Sequence, residues 1–212
     1  MPRIDDYKLA RDLGNQSLSG KDPQLLSKYS KADIQANERG ENFLILPFLG
    51  RFIHITWPDL AFSYQDSKDE IPIQQQVLML HYLHGSFSST GAAPTGEWIS
   101  FQDVPEGRFY MDAFTRRAKD PLIKGFGHQP ERMVELASKI YNISSLDYGD
   151  FSVIVNALPL VPVALVMWEG DDEFPPEGNI LFDRNISGIL SAEDIAWLAG
   201  MVVYPLIGMG KK

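Results

Sequence analysis

The chain contains no cysteine. No disulfide can staple it, and no thiolate can act as nucleophile, hold zinc or carry an iron–sulfur cluster. A metal would have to be held by His, carboxylate, Met or backbone oxygen, and there are only four histidines. Basic residues are also short: 19 Lys and Arg stand against 28 Asp and Glu, a net charge of −9. Nucleic-acid binding needs a basic footprint, so DNA and RNA are not expected partners. Long apolar runs are missing too. The longest uncharged one, 195–210, contains Pro205 and is shorter than the roughly 18–20 residues of a membrane span. A buried helix is expected there, and no membrane contact. The first residues include Asp5 and Asp6 and no apolar run, unlike a secretory leader. A cytoplasmic location is the expectation. There is no Gly-x-Ser-x-Gly elbow and no dinucleotide fingerprint, and Gly125-x-Gly127 lacks the Lys-Ser/Thr end of a P-loop.

What is present is ordinary globular material. The 212 residues are 44% hydrophobic and 11% aromatic, enough for a packed core and suited to one domain. Residues 1–40 read as a helical N-terminal extension, with Asp22–Pro23 as N-cap and first helical position. The period then changes. Runs 43–48 and 51–57, split by Leu49 and Gly50, predict a hairpin, with Pro47 marking an edge or an early end. Residues 61–64 add a short strand. Residues 71–84 form the best helix, with Pro72 in its first turn and Gly85 as its stop. Further helices are predicted at 109–119, just after Asp120–Pro121, and at 130–141. Strands are predicted at 98–101, 151–157, 161–168 and 179–183. Ser191 and Asp194 then look like the capping box of a last helix, to about Tyr204. Helices and strands interleave without regular βαβ order. The expected fold is therefore α+β, a single domain over 1–212 with a mainly antiparallel sheet and helices packed around it.

Charge is segregated. Residues 108–139 hold seven bases and four acids, whereas 140–194 hold ten acids and one base, Arg184. If the two stretches lie on different faces the molecule is dipolar, which bears on partner steering more than on fold.

Three groups of residues could carry chemistry. His81 and His84 lie three apart on the strongest helix, so both imidazoles reach one side. A helical wheel puts His84 within the apolar stripe of Ile73, Val77 and Leu80. An imidazole there suits a metal or tetrapyrrole ligand; it equally suits a buried ring bonded to a backbone carbonyl. The second group is the run 169–177, with five acids in nine positions, among them Asp171, Asp172 and Glu173. It departs from an EF-hand in spacing and in its two prolines. It could hold a divalent cation or face a partner in solvent. The third is Tyr110, Phe114 and Arg117 with Arg116 and Lys124, an aromatic helix face beside cations that could neutralise an anionic ligand.

Several stretches together resemble a known family. They are 77–83 with its His-Tyr-Leu, 96–101, Tyr110…Phe114…Arg117, Gly149–Asp150, Pro159…Pro162–Val163, 168–175 and Ile180–Leu181–Phe182–Asp183. From about Phe43 onward the chain is similar to an uncharacterised family, a domain of unknown function of anaerobic bacteria and archaea. Some members are attached to an iron–sulfur domain like that of corrinoid proteins. The resemblance implies a link to corrinoid or other tetrapyrrole metabolism and names no catalytic residue.

The sequence thus leads to a binding protein, non-catalytic or accessory, ahead of an enzyme. Its expected ligand is a corrinoid, haem or a metal ion. His81 or His84 would be the axial ligand, and Arg116, Arg117 and Lys124 would hold peripheral carboxylates. The alternative is a cofactor-free interaction module presenting its acidic loop to a basic or iron–sulfur-bearing protein. A weaker one is a divalent-cation enzyme using Asp171, Asp172 or Glu173.

Overall fold

A computed structural model describes residues 4–210. The chain is α+β, with two antiparallel sheets, and its contacts divide it into two compact units. The first unit runs to Ala93 and includes 158–160 and 188–190. It begins with helices α1 (Ile4–Ser19) and α2 (Pro23–Ser30). The Asp22 carboxylate caps α2 by accepting from the Gln24 amide at 2.9 Å, as its sequence signature predicts. The expected helical extension ends there. Residues Asp33–Ala36 are a strand, β1, paired antiparallel with β2 (Asn42–Phe48). β3 (Arg51–Thr56) and β4 (Phe62–Tyr64) complete the sheet in the order β1-β2-β3-β4. Leu44, Leu46, Phe48, Ile53 and Ile55 put one face of the sheet in the core, and Ile45, on the other face, is buried as well. Pro47 lies past the β1 pairing, which ends at Ile45, so only β3 remains beside it.

Helix α3 (Ile73–Ser88) does not stop at Gly85; it runs one turn further. Gly85 is there for close approach. A Cβ at this position would lie 1.9 Å from the Ile189 carbonyl oxygen. α1 and α2 pack against α3, and Tyr82, fully buried, donates to the Ser30 carbonyl at 2.6 Å.

The second unit holds the other sheet, β5 (Trp98–Ser100), β6 (Ile143–Ser145), β7 (Phe151–Leu158), β8 (Val161–Trp168) and β9 (Glu177–Asp183), in the order β5-β9-β8-β7-β6. β6 was not expected; its three residues are too few for alternation to show. The helix expected to break near Asp120–Pro121 instead continues. α4 (Gly107–Phe114) passes through a widened π turn over Thr115–Lys119 into α5 (Asp120–Phe126). Pro121 has no N–H to offer the Arg117 carbonyl, and its ring would crowd that carbonyl in a regular helix. The widened turn relieves both. α6 (Pro130–Ile140) follows, and α7 (Ala192–Gly210) closes the chain. The capping box of α7 forms as expected, with the Ser191 hydroxyl donating to Asp194 at 2.7 Å. α7 is longer than the uncharged run suggested. By length and composition it is now long enough to cross a membrane, but half of its apolar window is buried inside the protein.

Candidate functional site

The residues expected to hold a cofactor are divided between the units. His81 and His84 belong to the first, and Arg116, Arg117 and Lys124 to the second. His84 does not lie in the buried stripe that the helical wheel gives it. It is exposed and His81 is half-buried, while Val77, Leu78, Met79 and Leu80 are buried all round one turn earlier. A wheel assumes one buried face along the whole helix; α3 is enclosed all round at 77–80, and beyond that it opens only on the side of His84 and Ser88. Arg116, Arg117 and Lys124 do share one helical segment. Arg116 donates to the Asp112 carbonyl at 3.2 Å, and the Arg117 guanidinium stacks 4.5 Å from the Trp197 ring.

The acidic loop between β8 and β9 is tightly organised. Asp171 Oδ1 accepts from the amides of Glu173 and Phe174, both at 2.8 Å. The Asp171 amide donates to the Phe174 carbonyl at 2.9 Å. Asp150 anchors the loop's start by accepting from the Glu169 amide at 2.9 Å. One acid therefore shapes the loop, while Glu169, Asp172 and Glu173 stand exposed around it. Phe174 is 67% exposed, unusual for a phenyl ring. Across from it is the turn between α5 and α6. Gly127, His128 and Pro130 from that turn and residues 169–176 from the loop line a cleft of about 560 Å³. A second cleft, of about 370 Å³, begins at Glu131, next to Pro130. Glu135, Asp147, Tyr148 and Asp150 line it. Glu135 is ion-paired to Lys139, and Tyr148 rests edge-on against Trp168. Neither histidine of α3 lines either cleft.

The two amides hold the Asp171 carboxyl below the usual carboxylate range. A depressed folded pKa means that the carboxylate's support of the loop is complete above the ordinary aspartate pKa. That support is lost as pH falls through the lower folded value. We expect an NMR pH titration to place Asp171 below an unstructured aspartate. We also expect Asp171→Ala to speed hydrogen exchange at the Glu173 and Phe174 amides, and Asp171→Asn, which keeps an acceptor oxygen, to do so less. Unchanged exchange in Asp171→Ala would contradict the capping role. Among the described residues, no group of three or more His, Asp or Glu side chains is placed to hold a metal ion.

Asp183 closes the Ile180–Leu181–Phe182–Asp183 run, and its sequence context assigns it no role. Asp183, at the end of β9, is 1% exposed. It accepts from the Thr95 amide and hydroxyl at 2.9 and 3.0 Å, from the Gly96 amide at 2.6 Å and from the Asn185 amide at 3.0 Å. It thereby fixes the segment entering β5. Next to it Arg184 and Glu97 form a two-point ion pair at the surface. An Asp closing an apolar strand is the only signal the sequence offers for this. Apart from Asn185, two positions on, the bonding partners lie 87 and 88 positions away and have no local pattern.

Residues 22–204 match the family model described as Domain of unknown function (DUF3786), and the chain belongs to that family. The match begins well before Phe43, where the resemblance read from the sequence began. No curated protein and no solved structure matches the chain.

Proposed function

We propose that this protein is a non-catalytic docking module that receives a basic polypeptide segment in the cleft between its acidic loop and the α5–α6 turn. The observation that carries this function is the cleft itself. Three exposed carboxylates, Glu169, Asp172 and Glu173, border it together with an exposed phenyl ring. A Lys- or Arg-rich chain would match its charge, and Phe174 would pack on the aliphatic stem of such a side chain. The adjoining second cleft adds Asp147 and Asp150, extending the negative surface. Carboxylates spread along an open loop attract by summed field, which favours a polymeric cation over a single small one. The resemblance to a family with corrinoid-linked members suggests one partner class, a basic surface on an iron–sulfur-bearing protein.

The test uses a peptide of about ten residues rich in Lys and Arg, titrated calorimetrically. Binding should weaken at high salt, because exposed charges are screened beyond roughly 8–10 Å. The triple variant Glu169→Gln, Asp172→Asn, Glu173→Gln should bind at least about tenfold more weakly, a loss of about 1.4 kcal/mol. It should melt no lower than the parent, since removing like charges relieves repulsion. Calcium, magnesium and a chelator should leave the melting temperature unchanged, as no ion-linked stabilisation is involved. A chelator-sensitive melting temperature that vanishes in the triple variant would replace this function with cation binding.

A further inference from the structure

Helix α7 presents a second face, remote in character from the acidic cleft. Trp197, Met201, Tyr204, Pro205 and Gly208 recur at helical spacing along it. They lie opposite Ala199, Val203 and Leu206, which are fully buried. Trp197 and Met201 are half-buried, and Tyr204, Pro205 and Gly208 are exposed. The stripe from Trp197 to Gly208 is about 17 Å long at 1.5 Å per residue. A soluble helix normally places polar side chains on that side. Here the only charged members are at one end, where Glu193 is exposed and Asp194 is held in the capping box. At the other end the Arg132 guanidinium, carried by α6, donates to the Gly210 carbonyl at 2.9 Å. In sequence, Lys211 and Lys212 follow. Arg117 adds a cation over the Trp197 ring.

We infer that this face binds a second copy of the same chain, with the two α7 helices packed antiparallel about a two-fold axis. Self-complementarity singles out this occupant. An axis passing between Met201 and Tyr204 sets Trp197 of one copy against Gly208 of the other, and Met201 against Tyr204. The bulkiest residue of the stripe then meets the one without a side chain. Space beside Gly208 is open: a Cβ there would meet nothing within 4 Å. The same axis brings the acidic Glu193 end of each helix to the partner's Arg132 and Gly210 end. Large-to-small and acid-to-base matches both close on themselves, as a two-fold interface requires.

Sedimentation velocity on the full chain tests this, over about 1–100 μM. A monomer–dimer equilibrium is expected. Gly208→Arg should weaken it at least about tenfold, because the new side chain occupies the place of the partner's indole. Its own helix has room for the substitution and gains in propensity, so the monomer should melt no lower. Met201→Glu, which sets two carboxylates near the axis, should weaken the dimer as well, with an unchanged circular dichroism spectrum. A chain monomeric at every concentration would overturn the inference. So would a dimer that survives either folded variant, or a monomer that instead pellets with vesicles of anionic lipid.

Discussion

Replacing Asp183 with Ala should destabilise the protein by about 3 kcal/mol, the largest loss expected from one polar side chain here. The carboxylate is buried and accepts four hydrogen bonds, three from backbone amides and one from a hydroxyl. Hydrogen bonds to a charged acceptor contribute about 1.5–3 kcal/mol each, but water can reach Thr95 and Gly96, which are exposed, and will recover part of theirs. The Asn185 amide lies in a buried residue and recovers less. Asp183→Asn should cost less than Asp183→Ala, because one acceptor oxygen remains while the amide NH₂ faces donors. Urea denaturation measures both. The neighbouring pair is the contrast. Arg184 and Glu97 also share two bonds, yet both are more than half exposed, so Glu97→Gln should change stability little. Equal effects at Asp183 and Glu97 would mean that burial is not what makes Asp183 matter.

Gly85→Ala should also be strongly destabilising, which is the reverse of the usual sign. Inside a helix, Ala is favoured over Gly by about 1 kcal/mol. At Gly85 the added methyl would sit 1.9 Å from the Ile189 carbonyl oxygen, with Ile189 Cα and carbonyl carbon also within 3 Å. Backbone cannot swing aside as a flexible side chain can. Either α3 or the segment 188–190 must shift, and Tyr82 and Leu83 in the adjoining turn are fully buried. Overpacking of this kind costs about 1–3 kcal/mol, and backbone contact places Gly85 at the upper end. A melting temperature that rises in Gly85→Ala would show that the close approach does not exist in solution.

These two residues mark what a sequence alone can and cannot convey. Features set by neighbours along the chain were legible. Asp22–Pro23 starts α2, Ser191 and Asp194 cap α7, and the β-branched and aromatic runs on either side of Leu49–Gly50 make paired strands. Gly85 is ambiguous by nature. A glycine after a good helix reads as a stop, and only the segment at 188–190, a hundred positions on, reveals it as a contact. His84 fails for a related reason, since the side of α3 that is buried at Val77 and Leu80 opens one turn later while Gly85 and Ser86 stay buried. Pro121 was read as a break, yet the helix absorbs it by widening a turn. Of the candidate site, the charge of 169–177 was legible and its shape was not. The sequence gives no sign that Asp171 binds its own loop's amides, or that the Gly127–His128 turn completes a cleft with that loop.

The docking function is tested most directly by mapping where a basic peptide binds. Backbone amide resonances of the full chain would be followed by NMR as a Lys- and Arg-rich peptide is added at low salt. The account predicts that the largest saturable shifts fall at 127–130 and 169–176, with smaller ones at 147–150, and that they collapse in the Glu169→Gln, Asp172→Asn, Glu173→Gln variant. Small non-saturating shifts scattered over all the acidic residues, or saturable shifts centred on the histidines of α3, would contradict it.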